Sequence, residues 1–304
     1  MPNRNAAVAA VPLLLALAGS APLPRPAEGD LVRVRLARSV AAPELRTENL
    51  EEPQRAWLAE HNPFGLPRTQ NPASWTLIVR RGYTLAHNNV DLIADWVSFR
   101  LTRDYVLGTE RRPGTGAFQP DPLLQPPRRA ELEDYAGWAG VYDRGHQCAA
   151  ADSKGRGELV MRESFFLSNM TPQSSALNRN RWRLLEERVQ RLARARGELW
   201  VITGPLFVDE DGDGVVEYYA IGRRQVAVPT HYYRIVVARN APSAQLEALA
   251  FLVPNRPVAE RLENFLTSID EIERLSGIDF LAELGDEEEE ALERVRAEKI
   301  WSEN

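Results

Sequence analysis

The 304-residue chain has one cysteine, Cys148, which excludes an intramolecular disulfide and any zinc or redox motif built on paired thiols. Lysine is nearly missing: Lys154 and Lys299 are the only two among 37 basic residues, and the rest are arginine. Arginine's planar fork suits phosphate and carboxylate, but an alanine- and arginine-rich chain also follows from genomic base composition, so the bias alone assigns nothing. With 43 acidic residues the net charge is −6, which excludes a uniformly basic coat for nucleic acid. The four histidines, His61, His87, His146 and His231, have no zinc-ligand spacing such as HExxH. Neither a GxSxG elbow nor a GxxxxGK[ST] phosphate loop occurs, so three large enzyme classes are weakened. Hydrophobic content of 44% is ample for a packed core and excludes disorder over most of the length.

Long apolar runs are also lacking. Residues 6–18, AAVAAVPLLLALA, are shorter than the roughly 20 residues that a bilayer span needs. Arg4 precedes this stretch, Ala16-Leu17-Ala18 ends it, and Gly19, Ser20 and Ala21 follow, the pattern of a secretory signal peptide at 1–18. An uncleaved anchor is the alternative. The expectation is a secreted or periplasmic protein with no stable membrane association once the signal is removed. Residues 19–59 then form a leader and N-terminal extension, Pro-rich at 22–30.

Beyond it, strand-like runs rich in β-branched and aromatic residues lie at Trp75–Arg80, Trp96–Leu101, Leu199–Thr203, Tyr232–Ala238 and Ala248–Val253. Trp182, Leu185, Val189 and Leu192 have helical spacing, and Thr267-Ser268-Ile269-Asp270-Glu271 offers capping-box chemistry for a second helix stopped by Gly277. Five prolines between Arg111 and Arg129 call for a surface loop. Strands on both sides of the 182–195 helix indicate one mixed α/β domain. Charge is uneven: Arg144–Arg196 carries eleven basic and five acidic residues, whereas Asp270–Asn304 carries four and thirteen. Residues 281–304, with DEEEE at 286–290, read as a solvated acidic tail.

The chemistry gathers at Tyr142-Asp143-Arg144-Gly145-His146-Gln147, where a fixed charge and an imidazole bracket a glycine that lets the backbone approach a neighbour. Alone this could be a turn. Leu167-Ser168-Asn169-Met170-Thr171-Pro172-Gln173 follows, then Asn178 and Trp182-Arg183-Leu184-Leu185-Glu186. DRGHQ, LSNMTPQ and N-x3-W-x2-LE in this order resemble the DNA/RNA non-specific endonuclease family, which includes secreted bacterial nucleases and mitochondrial endonuclease G. Leu77–Tyr83, Ala94–Val97, Thr203–Leu206 and Asp270–Glu273 extend the resemblance over roughly residues 60–280, taken as the nuclease domain.

The resemblance implies a ββα-metal fold, with a twisted antiparallel central sheet flanked by helices. It implies His146 as general base, Arg144 as stabiliser of transition-state charge and Asn178 as direct ligand of Mg²⁺, with Mn²⁺ as a substitute. Glu186, Asn169 and Asp143 would support them, Glu186 and Asn169 through the metal's water shell. Mg²⁺ keeps several waters, so one side-chain oxygen can suffice. Asn178 could instead be a helix N-cap and Glu186 an ordinary surface residue. Arg179, Arg181, Arg188 and Arg191 are the candidate nucleic-acid contacts; the family's arginine four residues after the glutamate is replaced here by Gln190. Cys148 reads as a small buried hydrophobe. Apart from the resemblance, Asp209, Asp211 and Asp213 alternate as in a Ca²⁺ loop, but Ala220 stands where such a loop needs a glutamate, so an acidic turn is favoured.

The expected activity is Mg²⁺-dependent hydrolysis of phosphodiester bonds in DNA and RNA without strong sequence preference, leaving 5′-phosphate and 3′-hydroxyl ends. A non-catalytic polyanion-binding protein with the same fold is the alternative. A homodimer and an inhibitor partner are left open.

Overall fold

The computed structural model describes residues 31–35, 47–69, 75–240 and 243–303; the expected signal peptide lies outside them. The strands are β1 (Leu31–Arg35), β2 (Arg68–Thr69), β3 (Trp75–Val79), β4 (Thr84–Asn88), β5 (Ile93–Thr102), β6 (Tyr142–His146) and β7 (Met170–Ser174). They continue as β8 (Glu198–Leu206), β9 (Val215–Ile221), β10 (Val226–Val228), β11 (His231–Arg239), β12 (Leu246–Pro254), β13 (Leu266–Thr267) and β14 (Ile278–Asp279). The helices are α1 (Gln54–His61), α2 (Arg103–Leu107), α3 (Glu158–Glu163), α4 (Ser175–Leu177), α5 (Arg183–Arg196), α6 (Ile269–Ser276) and α7 (Asp286–Glu293).

Seven strands form a central sheet in the order β13-β12-β11-β8-β5-β4-β3, every neighbouring pair antiparallel. All five expected strands are in it. Side chains alternate across a strand, and β11 shows the result: Tyr232, Val236 and Ala238 pack with α5, while Tyr233, Ile235 and Val237 pack with Trp200, Ile272 and Phe280 on the other face. Both faces are therefore covered, and β11 reads as a nearly continuous apolar run.

Helix α5 buries Leu185, Val189, Leu192 and Ala193, the face that the three-and-four spacing marked out. Helix α6 is capped as expected: the Ser268 hydroxyl accepts the Glu271 N–H, and Gly277 ends the helix at φ +67°. The segment read as a solvated acidic tail is folded. Its 286–290 run forms most of α7, and Leu281, Leu292 and Ile300 are buried. The patterning missed this because its buried residues are few and widely spaced among charges.

Candidate active site

Strands β6 and β7 form an isolated antiparallel pair, with His146 opposite Met170, Gly145 opposite Thr171 and Arg144 opposite Pro172. From β7 the chain runs straight into α4, a π-helical stretch at Asn178–Trp182 and then α5. This is a strand-strand-helix unit. Gly145 is needed where it lies, because a Cβ there would stand 2.3 Å from Gln173 Oε1 and 2.5 Å from Gln173 Cβ. Beyond β6 the chain is pinned by Asn169. Its Oδ1 accepts the Cys148 N–H at 2.9 Å, and its Nδ2 donates to the carbonyls of Cys148 (2.9 Å) and Ser164 (2.8 Å). The Asn169 amide thus acts on the backbone beside His146, a bracing role that differs from the expected contact with a metal's water shell.

Arg144 and His146 are two residues apart on β6 and so share a face. Phe165 meets the imidazole edge-on with ring centroids 4.9 Å apart, and Phe118 stands 5.9 Å from it. The Arg144 guanidinium lies over Phe118 at 4.3 Å, and that of Arg112 over Phe165 at 5.3 Å. Neither arginine forms a direct ion pair among the described residues, although the charge of Arg112 reaches Glu186. Burial, followed by the positive charge of Arg112, depresses the His146 pKa to about 3, so the ring is neutral at physiological pH. Its Nε2 is sealed from solvent without a hydrogen-bond partner. Sequence reasoning missed Arg112; the only signal was an Arg-Arg pair inside the proline-rich loop.

Asn178 has helical φ and ψ, which rules out an N-cap conformation. Its Nδ2 donates to Asp143 Oδ2 at 2.9 Å, which fixes the amide and leaves the carbonyl oxygen as the atom able to meet a cation. Asp143 also receives the Ser175 hydroxyl and a two-pronged contact from Arg179. Burial works against ionisation of Asp143, yet the bonds from Arg179, Asn178 and Ser175 hold its carboxyl below the usual range. Asp143 is thus the hub that orients Asn178.

Glu186 projects from the first turn of α5, and burial pushes its carboxyl up to about 8. The nearest guanidinium, that of the fully buried Arg234, stands 3.7 Å away, stacks over Trp182 at 4.8 Å and donates to the Gln147 carbonyl at 3.3 Å. Arg234 was legible only as an arginine inside the apolar run of β11. Gln190 does not reach toward phosphate: its amide donates to the buried Asp152 at 2.8 Å.

The expected nucleic-acid contacts divide. Arg179 is tied to Asp143, and Arg181 donates to the Ala259 carbonyl. Arg188 and Arg191, expected to be open to phosphate, are both paired with Glu303 of the C-terminal segment. Asp209, Asp211 and Asp213 converge in the β8–β9 connection, but their carboxylates accept the N–H groups of Gly212, Gly214, Asp213 and Val215, as in a tight acidic turn.

A two-strand unit feeding a helix, with histidine and arginine on the first strand and asparagine and glutamate on the helix, defines a metal-dependent nuclease of the ββα-metal class. The family model for DNA/RNA non-specific endonucleases matches residues 61–287. Mitochondrial nuclease EXOG of Danio rerio is 34% identical over 229 residues, covering 73% of this chain and 64% of its own length. Human mitochondrial endonuclease G is 36% identical over 223 residues, covering 72% of each chain. The crystal structure of the EndoG/EndoGI complex superposes with a TM-score of 0.67 at 27% identity, over 79% of this chain and 96% of that one. The chain belongs to the DNA/RNA non-specific endonuclease family. These relatives also correct one expectation: the nucleases EXOG and endonuclease G are mitochondrial, so the reading of a secreted or periplasmic protein is overturned. The apolar N-terminal stretch misled because length and flanking residues alone do not specify an address.

Proposed function

We propose that the chain is a Mg²⁺-dependent endonuclease that hydrolyses DNA and RNA and leaves 5′-phosphate and 3′-hydroxyl ends. The observation that carries this reading is the neutral His146 imidazole flanked by two arginines, Arg144 and Arg112, that form no direct ion pair among the described residues. A polyanion-binding protein would need the charge but not the proton acceptor. His146 takes a proton from the attacking water, and because Nε2 is sealed, Nδ1 is the ring nitrogen that does so. Arg144 and Arg112 hold the phosphate oxygens on which charge builds.

The donor set fits a hard divalent cation: an amide oxygen on Asn178, already oriented by Asp143, and a half-buried Glu186 carboxyl whose ion pair with Arg234 is long, at 3.7 Å. Asn178 would hold the metal and Glu186 would hold its waters; when bound, it offsets charge on the departing oxygen. Since the nucleophile comes from water, the sugar's 2′-hydroxyl is not required. Digestion of plasmid and of RNA, with and without EDTA, should show metal-dependent loss of both. Mass spectrometry should find 5′-phosphate ends, and 2′,3′-cyclic phosphates on the RNA would reject the mechanism.

A further inference from the structure

A second concentration of carboxylates lies where α6 meets α7, and it shares no residue with the β6–β7 unit. Asp270 and Glu273 are three residues apart on α6, Glu293 ends α7, and one carboxylate oxygen from each lies within 4.8 Å of the others. Glu293 is only 6% exposed, and its Oε1 has no hydrogen-bond partner. Glu273 is fixed by accepting the Phe280 N–H at 2.7 Å. No arginine or lysine is paired with any of the three among the described residues. The surroundings add negative charge from Asp279 and Glu289. A buried carboxyl oxygen without a partner, beside two further carboxyls, offers a set of hard oxygen donors.

We propose that Asp270, Glu273 and Glu293 form a divalent-cation site, suited to Ca²⁺, that clamps α7 onto α6. The donors are all hard oxygens, and exposed Asp270 leaves one side open to water, which suits the large and irregular shell of Ca²⁺ better than the strict octahedron of Mg²⁺. Bound there, the ion ties down the start of the C-terminal segment, whose far end carries Ile300 and Glu303.

The test is the melting temperature and Ca²⁺ affinity of the full chain, stripped with EDTA, at neutral pH as CaCl₂ is added. Ca²⁺ should raise the melting temperature, because a ligand that binds only the folded state stabilises it. Asn178→Ala and Asp213→Asn should keep that rise, which separates this site from the catalytic centre and from the acidic turn. Glu293→Gln should melt higher than the parent without Ca²⁺ and lose the rise. Asp270→Asn, an exposed change that cannot itself unfold the core, should weaken Ca²⁺ binding by about tenfold or more. No rise in the parent overturns the proposal, as does a rise and an affinity that Asp270→Asn leaves intact.

Discussion

At the scale of single residues, His146 and Glu186 are shifted in opposite senses by the same cause. Burial disfavours the charged form of each, which keeps the imidazole free to accept a proton and the carboxyl reluctant to lose one. His146→Ala should lower the cleavage rate by about 10²- to 10⁴-fold, the scale of a general base, while affinity for a short oligonucleotide in EDTA stays near the parent's. Glu186 yields a pH dependence whose sign is fixed. With its pKa near 8, a cation brought to this site must displace a proton below that pH, so the half-saturating Mg²⁺ concentration should fall as pH rises from 6 to 8. In Glu186→Gln it should be flat over that range. Without metal, the raised pKa means that the folded state binds more protons than the unfolded chain between about 4.5 and 8. This contribution to stability is therefore lost as pH rises through that window, and Glu186→Gln should remove it from the melting curve.

At the scale of the element, β6 depends on the absence of a side chain at Gly145. Gly145→Ala drives a methyl group into Gln173 on β7 and should cost about 1–3 kcal/mol, the usual range for overpacking, along with activity, because β6 carries both Arg144 and His146. Gln173→Ala in the same chain should restore much of both, and urea titration of the double-mutant cycle measures how much. The π-helical stretch at Asn178–Trp182 is also a property of the element. It breaks the regular helix on which any sequence estimate of the Asn178-to-Glu186 spacing rests.

At the scale of the molecule, the C-terminal segment closes over α5. Ile300 joins the core, Trp301 lies 4.2 Å beneath the Arg196 guanidinium, and Glu303 neutralises Arg188 and Arg191. Deleting residues 300–304 should lower the melting temperature, chiefly through loss of the buried Ile300. Glu303→Gln is milder and should release two guanidinium groups. If that face of α5 meets nucleic acid, the slope of log affinity against log salt should steepen by up to about two charges, and an unchanged slope would place the binding surface around Arg112 and Arg144 instead.

The sequence by itself determined the elements that periodicity governs: the five long strands, the buried stripe of α5, and the Ser268 cap and Gly277 stop of α6. It also singled out His146, Arg144 and Asn178 as candidates, because DRGHQ and the asparagine-to-glutamate spacing are local strings. Only the tertiary structure decided which charges are free. Asp143 belongs to Asn178 and Arg179, Gln190 to Asp152, and Glu303 to two arginines more than a hundred positions earlier, while Arg112 and Arg234 reach the centre from a loop and a distant strand. The reason is physical: backbone periodicity is set by neighbours in the chain, whereas a charge's partner and degree of burial are set by whatever the fold brings against it.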